Sequence, residues 1–299
     1  MHTTKGSTLS SVRQILKRYL RVILGVALLA ALLSQIQWDS LMRAVTAVNG
    51  GFFTLAVVIA GLANLVCAFR WARIANLLGV QLSKDSAVNI YFRGVAANTI
   101  LPGGIIGGDL YRSVVLCRYG ATKLRAAAIV FLDRVSGLWA LSLFSLLAIG
   151  ILFLSGPPDF SSNKIGMVLY ASFLITGGLL PLSLIFVKKT EFSVLRKTLI
   201  FSWLSASFSV ATFYLCLLSV GVEVSLLSVF IVSTGVFLGA SLPASIGGFG
   251  SRELASVFFL SFFGVTVEES FLASVLFGLT GSIQGAIAIV LDRAVKTKR

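Results

Sequence analysis

Leu101-Pro-Gly-Gly-Ile-Ile-Gly-Gly-Asp-Leu-Tyr-Arg112 stands inside an apolar stretch, residues 86 to 118, that is otherwise suited to a helix. Pro102 has no N–H to donate, and Gly103, Gly104, Gly107 and Gly108 admit backbone conformations that end helices. A helix must break there. A second break lies in residues 225 to 264, at Leu242-Pro-Ala-Ser-Ile-Gly-Gly-Phe-Gly-Ser-Arg-Glu253, which matches the first at Leu, Pro, Ile and one Gly without gaps.

The surroundings decide what such breaks mean. Of 299 residues 57% are hydrophobic and 12% charged, about half the charged share of an ordinary soluble domain. Apolar runs at about residues 20 to 36, 51 to 69, 126 to 154, 165 to 187, 195 to 219 and 268 to 291 match the ~20 residues that cross a bilayer core. The expectation is an all-α, polytopic membrane protein with six full spans and two broken, re-entrant helical hairpins. Broken backbone at membrane depth is tolerated only where protein or enclosed water satisfies its polar groups, so each break predicts a cavity. The alternatives are a tight cytoplasmic loop capped by Asp109 at the first break and an interfacial salt bridge at the second.

Positive charge predicts the orientation, because short cytoplasmic loops retain lysine and arginine. With the N-terminus inside and both hairpins re-entrant, every basic residue except Arg43, Lys164 and Arg252 falls on the cytoplasmic side or in the first broken stretch. Both termini are then cytoplasmic, in a bacterial-type inner membrane. The basic stretch Arg13, Lys17, Arg18 and Arg21 ahead of the first span reads as an uncleaved anchor, since no small-x-small cleavage site follows. Two units share one plan of two spans, a broken hairpin and a further span: residues 1–156 and 157–299. Three spans separate the hairpins, so the second unit is inverted, an arrangement common in transporters.

The net charge of +14 is spread between spans, which points to anionic lipid headgroups and not to nucleic acid. Cys67, Cys117 and Cys216 have no paired spacing, and His2 is the only histidine. Histidine-based catalysis and histidine-rich metal sites therefore lack material, and no cofactor, metal site or catalytic residue is expected. Charges within apolar stretches are expensive and need partners, water or substrate. That singles out Asp109 and Arg112 at the first break, Arg252 and Glu253 at the second, and Asp133 and Arg134 in the span from 126 to 154. The helix restarting near Asp109 would turn free N–H groups toward the break, a setting suited to phosphate. Arg70 and Arg73 read as charges marking a helix end.

Taken together, Asn98-x-x-Leu-Pro-Gly-Gly-x-x-Gly-Gly-Asp-x-x-Arg112, Asp133-Arg134-x-x-Gly137 and Pro243-x-x-x-Gly-Gly-Phe-Gly-x-Arg-Glu253 resemble the flippase-like membrane family, which includes the transmembrane flippase domain of bacterial lysylphosphatidylglycerol synthases. The resemblance implies a domain that moves a lipid headgroup between leaflets. Its substrate-binding candidates are Asn98, Gly103, Gly104, Gly107, Gly108, Asp109, Arg112, Asp133, Arg134, Gly247, Gly248, Arg252 and Glu253. The lipid could be a phospholipid, an aminoacylated phospholipid or a polyprenyl-linked glycan or glycolipid. The sequence ends soon after its last span, so a soluble aminoacyl-transfer domain is not expected, and a transporter is favoured over an enzyme. Two other readings stay open: a membrane transferase or hydrolase with Asp109 or Glu253 as base, and a scaffold for a separate lipid-modifying enzyme.

Overall fold

The computed structural model describes residues 30, 33–100, 106–154, 189–241 and 250–297. Among these, every regular element is an α-helix: α1 (Trp38–Thr46), α2 (Gly50–Leu77), α3 (Lys84–Ile100), α4 (Ile106–Arg118), α5 (Lys123–Leu154), α6 (Lys189–Lys197), α7 (Leu199–Val220), α8 (Leu226–Ser241), α9 (Ser251–Ser261) and α10 (Val267–Thr297). Four of them, α2, α5, α7 and α10, are long and apolar enough to cross a membrane. They coincide with four of the six expected spans. The spans expected at 20 to 36 and 165 to 187 lie largely outside the described residues. α2 continues beyond residue 69 to Leu77, which carries Arg70 and Arg73 well inside the helix.

Local chemistry sets the helix ends. The Asn49 side chain accepts from the N–H groups of Gly51 and Phe52 (3.0 and 3.3 Å), closing the open start of α2. α7 stops at Gly221, whose φ of +89° suits a residue without Cβ. α10 opens with Thr266 and Glu269 in a reciprocal capping box, and Glu268 accepts from the Gln37 N–H at 2.8 Å, tying α10 to the segment before α1.

Each broken stretch forms two helices that fold back on one another. In α3–α4, the Gly108 N–H donates to Asn98 Oδ1 (2.6 Å), and a Cβ on Gly94 would meet Arg112 Cγ at 3.3 Å. In α8–α9, a Cβ on Gly239 would meet Ala255 Cβ at 2.6 Å, and Gly235 lies under the Phe259 ring. Backbones approach this closely because glycine occupies the contact.

The hairpins exchange supports. α3 packs on α10, with Gly285 against Ala96, and α8 packs on α5, where the Thr234 hydroxyl donates to the Leu141 carbonyl at 3.0 Å and meets the Ser145 hydroxyl at 2.6 Å. α4 also lies on α5, and α9 on α10. Between the hairpins run α2 and α7, which are antiparallel: the Asn49 N–H donates to the Ser219 carbonyl near the start of α2, and Arg70 reaches Ser205 toward its end. Among the described residues the largest apolar core gathers around α7, with Phe213, Cys216 and Leu217 fully buried against Val232, Val236 and Leu276.

Candidate functional site

Three arginines and two aspartates from three helices form one chain of ion pairs. Asp133 on α5 gives one carboxylate oxygen to Arg70 Nε of α2 and the other to Arg112 of α4, both at 2.8 Å. Arg112 also donates to Asp109 at 2.6 Å, and Asp109 in turn accepts two bonds from Arg134, at 2.8 and 2.9 Å. Arg70 completes its own set with the Ser205 hydroxyl of α7 at 3.0 Å. Arg70, Arg112 and Asp133 are only 4%, 3% and 1% exposed, so these charges are held apart from bulk solvent. The Arg112 guanidinium also lies over the Tyr91 ring, 4.6 Å from its centroid, a further favourable contact for a desolvated cation.

The second hairpin builds a smaller counterpart. Arg252 pairs with Glu253 at 2.6 Å and donates to Ser274 of α10 at 3.1 Å, while the Glu253 carboxylate also accepts from Ser274 and from the Gly250 N–H at the start of α9. Glycine makes room for these arginines on neighbouring helices. Gly94 of α3 faces Arg112, Gly137 of α5 lies against Arg70, and Gly278 of α10 lies directly beneath Arg252. At Gly278 any side chain would occupy the position of the guanidinium.

Between the two clusters is a cavity of about 240 Å³. This is below the ~300 Å³ lower end of drug-sized ligand pockets, so it has room for a small group only. Arg112 of α4, Arg134 of α5 and Arg252 of α9 reach it. Asn64, Asn98, Ser209, Thr212, Thr280 and Ser282 supply uncharged polar groups. Asp109, Asp133 and Glu253 do not line it; they stand behind the arginines and hold them.

Of the candidates read from the sequence, Asn98, Arg112, Arg134 and Arg252 meet at this cavity, with Asp109, Asp133 and Glu253 as their supports. Gly108 is where the two halves of the first hairpin touch, and Gly107 is buried beside it. Gly103, Gly104, Gly247 and Gly248 lie outside the described residues. The N–H groups expected to be free at the start of α4 are partly committed, since that of Gly108 is bonded to Asn98. Arg70 is corrected outright: it is no helix-end marker but a buried member of the network, because α2 runs two turns past it. Asn64, Tyr91, Ser209 and Ser282 also line the cavity, and nothing in their spacing sets them apart from packing residues.

A sequence profile described as the lysylphosphatidylglycerol synthase TM region matches residues 18–197 and 188–288, which is most of the chain. The chain belongs to that family. Among curated proteins it is similar to a membrane protein of the UPF0104 group from Pyrococcus horikoshii, 23% identical over 135 residues, a match covering 44% of this chain and 40% of the relative's length. The chain thus spans less than half of that relative. Membership in the lysylphosphatidylglycerol synthase TM family, with four apolar helices of spanning length, makes this an integral membrane protein.

Proposed function

We propose that the chain is a lipid translocase, moving a phosphate-bearing headgroup between leaflets through the cavity where the two hairpins meet. One observation carries this reading: guanidinium groups from both hairpins, Arg112 and Arg252, line one cavity inside a membrane protein. Such a site replaces the hydration of an anionic headgroup with charge-assisted hydrogen bonds, lowering the barrier to crossing without a covalent step. Beyond the Asn64–Gln284 side-chain contact, an apolar groove lined by Val57, Leu65, Phe69, Phe92 and Ile287 offers a path for acyl chains. The family match supports a lipid-related role.

The hairpins are re-entrant in this reading. α3 has 17 residues and α9 has 11, roughly 25 and 16 Å of helix, against a hydrocarbon core of ~30 Å. The two units are inverted repeats. The spacing that aligns Leu101 with Leu242 also aligns Gly137 with Gly278, each against an arginine, and Asp133, which is bonded to Arg70 and Arg112, with Ser274, which is bonded to Arg252. Antiparallel α2 and α7, together with the exchanged packing of α3 on α10 and α8 on α5, have the form of a two-fold axis in the membrane plane. In this reading both termini are cytoplasmic, which the positive charge pattern supports, and the membrane is a bacterial-type inner membrane. The transferase or hydrolase reading is disfavoured because Asp109 and Glu253, its candidate bases, are both engaged by arginines and do not line the cavity.

The test is transbilayer movement of phospholipids in liposomes holding the purified protein. Wild type accelerates movement, and Arg112→Ala or Arg252→Ala abolishes the acceleration in protein that still inserts and folds. Movement unaffected by both substitutions would place transport, if any, elsewhere than this cavity.

A further inference from the structure

The groups that reach the cavity limit which headgroup it can hold. Arg112, Arg134 and Arg252 line it, and among the described residues no carboxylate does. The neighbouring carboxylates are spent on arginines: Asp133 on Arg70 and Arg112, Asp109 on Arg112 and Arg134, Glu253 on Arg252. In the first-hairpin network three guanidinium groups share two carboxylates, which leaves one positive charge in excess, while Arg252 and Glu253 balance. The remaining polar lining consists of amides and hydroxyls such as Asn64, Asn98 and Ser209.

We propose that the cavity selects a lipid with one phosphodiester and a hydroxylated, polyol headgroup, and rejects a headgroup bearing an ammonium group, aminoacylated phospholipids included. This rests on the cavity being the headgroup site. A phosphodiester supplies the one negative charge the network lacks and accepts bonds from planar guanidinium forks. Polyol hydroxyls exchange water for the carboxamides and hydroxyls opposite them. An ammonium group entering the same space loses its hydration, meets no carboxylate in the lining with the lipid's own phosphodiester already engaged by guanidinium groups, and stands beside three cations; each of these costs free energy. Selectivity here comes as much from what the cavity withholds as from what it offers.

The experiment uses the full chain in liposomes carrying trace phosphatidylglycerol or lysyl-phosphatidylglycerol with the same acyl chains. Outer-leaflet glycerol is read by periodate oxidation and outer-leaflet lysine by an impermeant amine reagent. Phosphatidylglycerol is expected to move at least about tenfold faster. Ser209→Asp, which adds a carboxylate to the lining, is expected to narrow or reverse the ratio. Equal or faster movement of the lysyl lipid, dependent on Arg112 and Arg252, would overturn the selectivity and leave the translocase intact. If neither lipid moves, the translocase reading fails and retention of each lipid by the detergent-purified protein, measured by native mass spectrometry, decides the selectivity. Preferred retention of phosphatidylglycerol that is lost in Arg112→Ala and Arg252→Ala sustains it; retention of neither lipid, or of both alike, overturns it.

Discussion

Asp133 is the residue on which most of the buried charge depends, because its two oxygens serve Arg70 and Arg112 and it is 1% exposed. Removing one member of a buried ion pair leaves the other desolvated and uncompensated, at a cost of about 3–5 kcal/mol. Asp133→Ala is therefore expected to destabilise the protein by that order, seen as a lowered melting temperature in detergent, and Asp133→Asn by less because one bond survives. A melting temperature unchanged in Asp133→Ala would show that water already reaches the network. At this scale, legibility in the sequence depended on cost. Asp109, Arg112, Asp133, Arg134, Arg252 and Glu253 were recognisable because a charge in an apolar stretch must be accounted for. Arg70 was not, since it lies near the end of an apolar run where a charge is cheap, and Asn64 and Ser209 were not, since a single amide or hydroxyl is common in any helix.

The two hairpins hold together through glycine contacts, and substitutions there should act on the pairing of helices. At Gly239 a Cβ would lie 2.6 Å from Ala255 Cβ and 3.0 Å from the Ser251 carbonyl oxygen, so Gly239→Val must push α8 and α9 apart. At Gly150 of α5 an added Cβ meets nothing within 4 Å. Gly150→Ala is expected to be neutral or to stabilise slightly, by up to ~1 kcal/mol of helix propensity, while Gly239→Val lowers thermal stability clearly. Parallel melting curves in detergent check this, and equal behaviour of the two variants would mean that the α8–α9 contact is loose. The existence of each hairpin was legible, because proline with several glycines stops a helix wherever it occurs. Which glycines serve the break and which serve the packing was not: Gly94, Gly137 and Gly278 lie within helices and matter only through the arginines that rest on them.

Across the molecule, inverted units require the hairpins to open to opposite sides of the membrane. Thr122, in the turn between α4 and α5, and Ser261, at the end of α9, are both exposed. With the native cysteines replaced by alanine, Thr122→Cys is expected to react with an impermeant maleimide only from the cytoplasmic side, and Ser261→Cys only from the outside. Reaction of both from one side would defeat the inverted arrangement.

The sequence by itself determined the solvent, four of the spans, the two breaks and the charges that needed explaining. Each of these follows from local chemistry: apolar run length, a missing N–H, the absence of Cβ, the cost of a buried charge. Tertiary structure alone decided that Arg112 and Arg252, far apart in the chain, share one cavity, that Asp109, Asp133 and Glu253 stand behind the arginines, and that Arg70 joins them. Those outcomes depend on how α2, α5, α7 and α10 pack, through contacts between residues distant in sequence. The direction a carboxylate faces is set by the partner packed against it, and composition and spacing carry no record of that choice.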